Sequence, residues 1–261
     1  MTDLILDHLT VTAGDKVRLH PLSTAISPGQ FVAVVGANGA GKSTLLRAIA
    51  ALVATEGSAQ YCGRSLTALT PRERARIIGY LPQAHVAAWS MPVRDMVALG
   101  QYAFGTARPP AQIARAVDDV LAACSIAELA DRPIDRLSGG EQALAALARV
   151  LITESPILLL DEPVASLDIG RQYQVLEQLA ALTASGRTLL VVLHDLALVS
   201  QFADRILWLD DGHLVADTAN SRDAFDEHAP RLLGRMPHWT GGAAARSGLY
   251  FRRAGDADGL R

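Results

Sequence analysis

The sequence predicts an α/β fold built around a parallel sheet, and three observations carry that expectation. FVAVVG, ILLLDEP and TLLVVLHD each hold a continuous apolar run, as strands buried on both faces do. Helical patterns, STLLRAIAALV and YQVLEQLAALTAS, alternate with these runs. A helical stretch from about 84 to 151 interrupts the alternation, so the sheet is expected to carry an insertion.

In order along the chain, the first 30 residues mix short apolar stretches (LILDHLTV, STAIS) with Gly14, Asp15, Pro28 and Gly29. They read as short strands joined by turns. FVAVVG, a glycine loop and STLLRAIAALV then follow one another directly as strand, loop and helix. The inserted block contains VRDMVALGQYAFG, AQIARAVDDVLAACSIAELA and EQALAALARVLI, the first two separated by Gly105 and Pro109-Pro110. Beyond the third apolar run, ADRILWLDDGHLVA reads as a β-hairpin around Asp211-Gly212. A single domain over 1–220 is expected. The less patterned segment 221–261, with Gly241-Gly242 and Ala243 to Ala245, reads as a tail, partly helical or mobile.

Composition narrows the function classes. The 261 residues carry a formal charge of -3, so no global basic field draws the chain onto nucleic acid or an anionic membrane. Cys62 and Cys124 form no CxxC pair, the usage of a reducing compartment. The seven histidines and two cysteines form no ligand-spaced cluster. No run reaches the ~18 apolar residues of a membrane span, and the start MTDLILDHLT lacks the basic region of a secretory signal. A cytoplasmic protein is expected, held at a membrane only through a partner.

The loop from Gly36 to Thr44, GANGAGKST, fits G-x-x-x-x-G-K-[ST] between a strand and a helix. Gly36, Asn38, Gly39, Ala40 and Gly41 let successive N–H groups turn toward one anion, at a helix N-terminus whose dipole also favours negative charge. Lys42 is one of only two lysines among 24 basic residues. A compact ammonium suits a crowded phosphate nest where a planar guanidinium fits poorly, so an arginine-preferring sequence still supplies lysine here. Ser43 is placed to put its hydroxyl on Mg²⁺, with Thr44 beside it. A glycine turn that merely starts a helix is the bland alternative, and the flanking strand and helix argue against it.

ILLLDEP ends a buried strand with two acids, at the edge where α/β sheets bind ligands. Asp161 is a candidate for the Mg²⁺ shell and Glu162 for orienting or deprotonating the attacking water. Alone, the pair could equally be a solvated strand end.

L137-S-G-G-E141, at a helix start just ahead of ILLLDEP, resembles the signature motif of ATP-binding-cassette (ABC) ATPases. Gln83 in YLPQ resembles that family's Q-loop, Ser166-Leu167-Asp168 its D-loop, and His194 its H-loop switch. Six elements in family order across 36–194 make the resemblance specific. It implies a P-loop NTPase (RecA-like) core with an N-terminal antiparallel β subdomain and an inserted α-helical subdomain. It also implies ATP and Mg²⁺ as cofactors, with Gln83 contributing to both catalysis and the Mg²⁺ shell. Ser138, Gly139 and Gly140 form a second anion nest, and one triphosphate does not need two. The resemblance implies two copies paired head to tail, each signature and Asp168 completing the other copy's site. Glu162 then acts as catalytic base and His194 contacts the γ-phosphate. An ordinary cap, Ser138 with Glu141, is compatible with the same residues.

The sequence also departs from the family pattern. Ala13 falls where many members place an aromatic that stacks on adenine, Gln142-Ala143-Leu144 replaces a more polar run with only Arg149 kept, and Val164 stands where threonine is frequent. One cassette with no fused span, no coiled-coil insertion and no basic character points to a separate subunit beneath a membrane permease, at the inner face of the membrane. A soluble ABC ATPase acting on nucleic acid, or a subunit for another substrate class, is the alternative. LTALTPRERARIIGYLPQ and LDIGRQYQVLEQL resemble subunits serving iron–siderophore, haem and vitamin B12 uptake, which implies a substrate-binding protein as an indirect partner. Val86, Trp89, Met91 and Val93 by the same resemblance line the groove that receives the permease, or else belong to the helical core.

Overall fold

The computed structural model describes residues 3–83, 90–240 and 248–253. The chain opens with two long strands, β1 (Leu4–Ala13) and β2 (Lys16–Ile26), turned at Gly14-Asp15 and paired antiparallel. The buried strand β3 (Phe31–Gly36) leads through the glycine loop into α1 (Lys42–Ile49), and β4 (Glu56–Tyr61) and β5 (Arg64–Ser65) return to pair alongside β1. Then come α2 (Pro71–Ala75), β6 (Ile78–Leu81) and the helical insertion, comprising α3 (Val93–Ala98), a 3₁₀ stretch (Leu99–Ala107), α4 (Pro110–Ala123) and α5 (Gly139–Leu151). The chain alternates again through β7 (Ile157–Asp161), α6 (Ile169–Thr183), β8 (Thr188–Val192) and α7 (Leu196–Phe202). It ends in the hairpin β9 (Arg205–Asp210) and β10 (His213–Ala219), the helix α8 (Arg222–Leu233) and a second hairpin, β11 (Arg235–Thr240) with β12 (Gly248–Arg253).

The central sheet has the order β10-β9-β3-β8-β7-β6, parallel except for the β9–β10 hairpin. A separate antiparallel sheet, β2-β1-β4-β5, covers one side of it. Every residue of β3, β7 and β8 is buried, which explains why these strands read as unbroken apolar runs. Their two-residue period divides the core. Phe31, Ala33, Leu158, Leu160, Leu189 and Val191 join the cluster shared with the helical insertion and α6 to α8. Val32, Val34, Ile157, Leu159, Leu190 and Val192 face α1 and the antiparallel sheet. Trp208 on β9 is fully buried and meets Phe225 of α8 edge to face at 5.8 Å, which fixes the start of the 221–261 segment onto the sheet.

Two helices stop earlier than their apolar pattern. α1 ends at Ile49 because Ala51 takes φ +51, and α4 ends at Ala123, followed by Ser125 at φ +55. Residues 84–89 lie outside the described residues, and with them Val86, Trp89 and the first part of the expected helical block. Gly241 to Ala245 of the tail fall outside them as well. Val93 is 0% exposed in the core of the insertion, so it packs helices and lines no groove. Met91 is half-buried against the same core. No helix among the described residues is long and apolar enough to cross a membrane.

Candidate active site

β3, β8, β7 and β6 are neighbours, and each delivers part of one cleft at its carboxyl end. The loop after β3 supplies Asn38, Gly39, Gly41, Lys42, Ser43 and Thr44; Gln83 follows β6, Glu162 follows β7 and His194 follows β8. Together they line a cleft of about 750 Å³. Gly39 and Gly41 hold φ of +84 and +96, a left-handed backbone that costs glycine little, so the loop can wrap its N–H groups inward at the start of α1. No side chain caps that helix end and no acidic residue sits in its first turn. Its polarity therefore remains directed at the cleft.

Gly36 and Ala40 have supporting places. The Gly36 carbonyl accepts a hydrogen bond from Lys42 Nζ at 2.9 Å, and a Cβ at Gly36 would lie 2.3 Å from the Leu209 carbonyl oxygen. Ala40 is buried, donates its N–H to the Ala37 carbonyl at 3.1 Å and accepts from Gly212 N at 3.1 Å. Both hold the loop in shape from behind rather than facing the cleft.

Lys42 is only 6% exposed and also donates to the Ala37 carbonyl at 2.9 Å. Burial pulls its ammonium below the usual lysine range, and the carboxylates of Glu162 and Asp161 oppose that shift. Asp161, 2% exposed, is pushed up by burial; a hydrogen bond with the Ser43 side chain opposes the rise, and Glu162 adds to it. Asp161 Oδ1 is buried without a hydrogen-bond partner. A buried oxygen left unsatisfied beside a serine hydroxyl is a donor set suited to a hard divalent cation such as Mg²⁺.

Glu162 is the junction of the site. Its Oε1 accepts from Gln83 Nε2 at 2.9 Å and lies 2.6 Å from His194 Nε2. Its backbone takes φ +55, rare for a residue with a Cβ, a cost of roughly 1–3 kcal/mol of the kind found where a side chain must be aimed. The Nε2 of Gln83 is thus engaged by Glu162 in this arrangement.

Ser138, Gly140 and Asp168 lie elsewhere. With Glu141, Ser166, Leu167 and Arg171 they line a second cleft of about 390 Å³ that shares no residue with the first. Ser138 caps α5 in a full capping box: Glu141 N donates to its Oγ at 3.3 Å, while Ser138 N and Oγ both donate to Glu141 Oε2 at 2.8 Å. Hydrogen bonds from the Ser138 backbone and side chain hold the Glu141 carboxyl below the usual range. Asp168 caps α6 by accepting from Arg171 N at 3.0 Å. A Cβ at Gly139 would meet no atom of this chain within 4 Å, whereas one at Gly140 would lie 3.0 Å from the Ser166 carbonyl.

The departures from the family pattern also find places. Ala143, Leu144 and Val164 are buried in the core, and Gln142 Nε2 donates to the Ile134 and Leu137 carbonyls. Packing thus replaces the expected polar contacts of that helix. Ala13 lines the first cleft, joined by Val11, Arg18, Arg47 and Val53, which the motif reading did not find. A third, mostly apolar groove of about 500 Å³ runs between α2, β6, α5 and the 3₁₀ stretch. Tyr80, Leu99, Tyr102 and Val150 line it with Arg72 and Arg149; Tyr102 is 85% exposed and Leu99 52%.

Residues 19–165 match the family described as ABC transporter. Hemin import ATP-binding protein HmuV of Nocardia farcinica (strain IFM 10152) is 41% identical over 206 residues, covering 76% of this chain and 69% of that protein. The HmuV of Rhodococcus jostii (strain RHA1) is 35% identical over 229 residues, 87% of this chain and 78% of its own length. The fold superposes with a TM-score of 0.77 and 26% identity on the ATP-binding cassette MJ0796, a dimer bound to ADP and Pi, covering 83% of this chain and 98% of that one. This chain therefore belongs to the ABC transporter family and is one of its ATPase cassettes.

Proposed function

We propose that this cassette energises import of haem, or of a related iron chelate or corrinoid, through a partner permease at the cytoplasmic face of the membrane. The hemin-import relatives at 41% and 35% identity support the substrate class. The observation that carries the chemistry is Glu162 Oε1, held by both Gln83 and His194 at the mouth of the lysine cradle.

Lys42 and the N–H groups of Gly39 and of Gly41 to Thr44 bind the terminal phosphates of ATP. Glu162 accepts the proton of the attacking water, and His194 and Gln83 fix the carboxylate that does so. Ser43, Asp161 and Gln83 would hold Mg²⁺, which when bound neutralises charge on the phosphates. Ser138, Gly139 and Gly140, with Asp168, complete the site of a second copy, because the bare Gly139 position suits contact with another molecule's phosphate. Residues 1–220 act as one cassette, and 221–261 follow as an appended tail. The groove around Leu99 and Tyr102 takes the permease, and a substrate-binding protein reaches the cassette only through it. Nucleic acid has no place in this reading.

The test is ATP-driven uptake in vesicles holding the co-purified permease, offered haem, a ferric siderophore and cobalamin. Accumulation of one of them supports the reading. ATP hydrolysis without accumulation of any, or a soluble ATPase stimulated by nucleic acid, overturns it.

A further inference from the structure

We propose that Arg18 is the base-stacking residue of this chain's nucleotide site, its guanidinium plane lying on the purine ring. The inference rests on the reading that ATP phosphates occupy the Lys42 cradle. A purine entering the cleft presents two flat π faces, and a planar side chain is the partner that stacks on one of them. Among the described residues that line the cleft, Val11, Ala13 and Val53 are aliphatic and supply no such plane. Among the described residues the ring that lines the cleft, His194, is bonded to Glu162 at the hydrolytic end.

Two arginines remain. Arg47 is engaged, its Nε donating to the Ser43 carbonyl of its own helix at 3.2 Å. Arg18 is exposed and lines the cleft, and no ion pair or side-chain hydrogen bond engages it among the described residues. A guanidinium is planar, weakly hydrated and well suited to stacking on a π face.

The backbone of Arg18 is also tied to the phosphate cradle. A Cβ at Gly41 would lie 3.1 Å from the Arg18 carbonyl oxygen, so the two chains pass in contact. The β9–β10 turn fastens them, with His20 N donating to the Gly212 carbonyl at 2.8 Å and Gly212 N donating to the Ala40 carbonyl at 3.1 Å. The plane that covers the base is therefore held in fixed register with the loop that holds the phosphates, and loop and plane select together for a nucleotide rather than for a bare polyphosphate.

Equilibrium binding of ATP and of inorganic tripolyphosphate to the full chain tests this. Arg18→Ala is expected to weaken ATP about tenfold, the size of one lost stacking contact, and to leave tripolyphosphate within about twofold. Arg18→Lys keeps the charge but not the plane and should resemble Arg18→Ala. Arg18→Trp keeps a plane without the charge and should retain ATP affinity. Equal loss of both ligands in Arg18→Ala, parental ATP affinity in Arg18→Ala, or full affinity in Arg18→Lys would each overturn the proposal. Lys42→Ala separates the two levels. If it weakens both ligands, the cradle reading stands whatever Arg18 does; if it weakens neither, the cradle reading itself has failed.

Discussion

Nε2 of His194 and Oε1 of Glu162 lie 2.6 Å apart, although 32 residues separate them and each follows a different buried strand. The imidazole therefore sets the orientation of a carboxylate that lines the cleft. Glu162→Gln keeps the shape and removes the base, so phosphate release should fall at least about hundredfold while ATP stays bound. His194→Ala leaves Gln83 still bonded to the same oxygen. Its loss should be smaller, about tenfold, the value of one hydrogen bond to a charged group. Steady-state phosphate release measures both, and a His194→Ala variant turning over at the parental rate would make the contact incidental.

The groove at Leu99 and Tyr102 carries a different expectation. A tyrosine 85% exposed beside a half-exposed leucine contributes little to folding of the isolated chain. Tyr102→Ala and Leu99→Asp should thus change its melting temperature by no more than a degree or two, with basal ATP hydrolysis retained. Recovery of the permease on affinity purification from solubilised membranes should drop several-fold. Undiminished recovery with both variants places the docking surface elsewhere.

Glu73, in the first turn of α2, offers a pH test. Hydrogen bonds from the Thr70 backbone and side chain, then from Arg64, hold its carboxyl down at about 2 in the capping box of α2. A depressed folded value means the unfolded chain binds more protons, so this contribution to stability is fully present above the ordinary carboxylate range. It disappears as pH falls toward about 2. An NMR titration should find the Glu73 midpoint near that value, and Thr70→Ala should move it up toward the ordinary range. A wild-type midpoint already in that range would remove the capping-box account.

Much of this site was legible because its parts are contiguous. GANGAGKST and LSGGE carry their chemistry in consecutive backbone groups, and the runs ILLL before Asp161 and LLVVL before His194 are apolar because both faces of their strands are covered. What escaped depends on pairing across the chain. EGSAQY forms β4 by pairing with β1 and β5, and its mixed burial leaves no clean period to read. Arg18 lines the nucleotide cleft because register shifts in the β1–β2 hairpin, at Leu9, Val11 and Thr12, set its facing. The helix cap at Ser138 and the anion nest at the same residues were two readings of one string. The geometry satisfies the first without excluding the second, because the cap uses the side chains of Ser138 and Glu141 and leaves Gly139 bare.

That bare glycine separates folding from assembly. Gly139 begins α5 with no left-handed backbone to require a glycine, and a Cβ there would touch nothing within the chain. An aspartate at a helix N-terminus interacts favourably with the helix dipole, by about 0.3–1 kcal/mol. Gly139→Asp should therefore leave the isolated chain as stable as the parent or slightly more so. If the signature of one copy covers the γ-phosphate in the cradle of the other, the same change sets a carboxylate against a triphosphate across that interface, and like charges at contact distance oppose closure. The expected result is a normal melting temperature and normal ATP binding by the monomer, together with loss of the ATP-dependent dimer on size-exclusion chromatography in a Glu162→Gln background. A variant that dimerises as readily as its parent would show that Gly139 faces solvent in the closed state, and the second anion nest would then be a helix cap and nothing more.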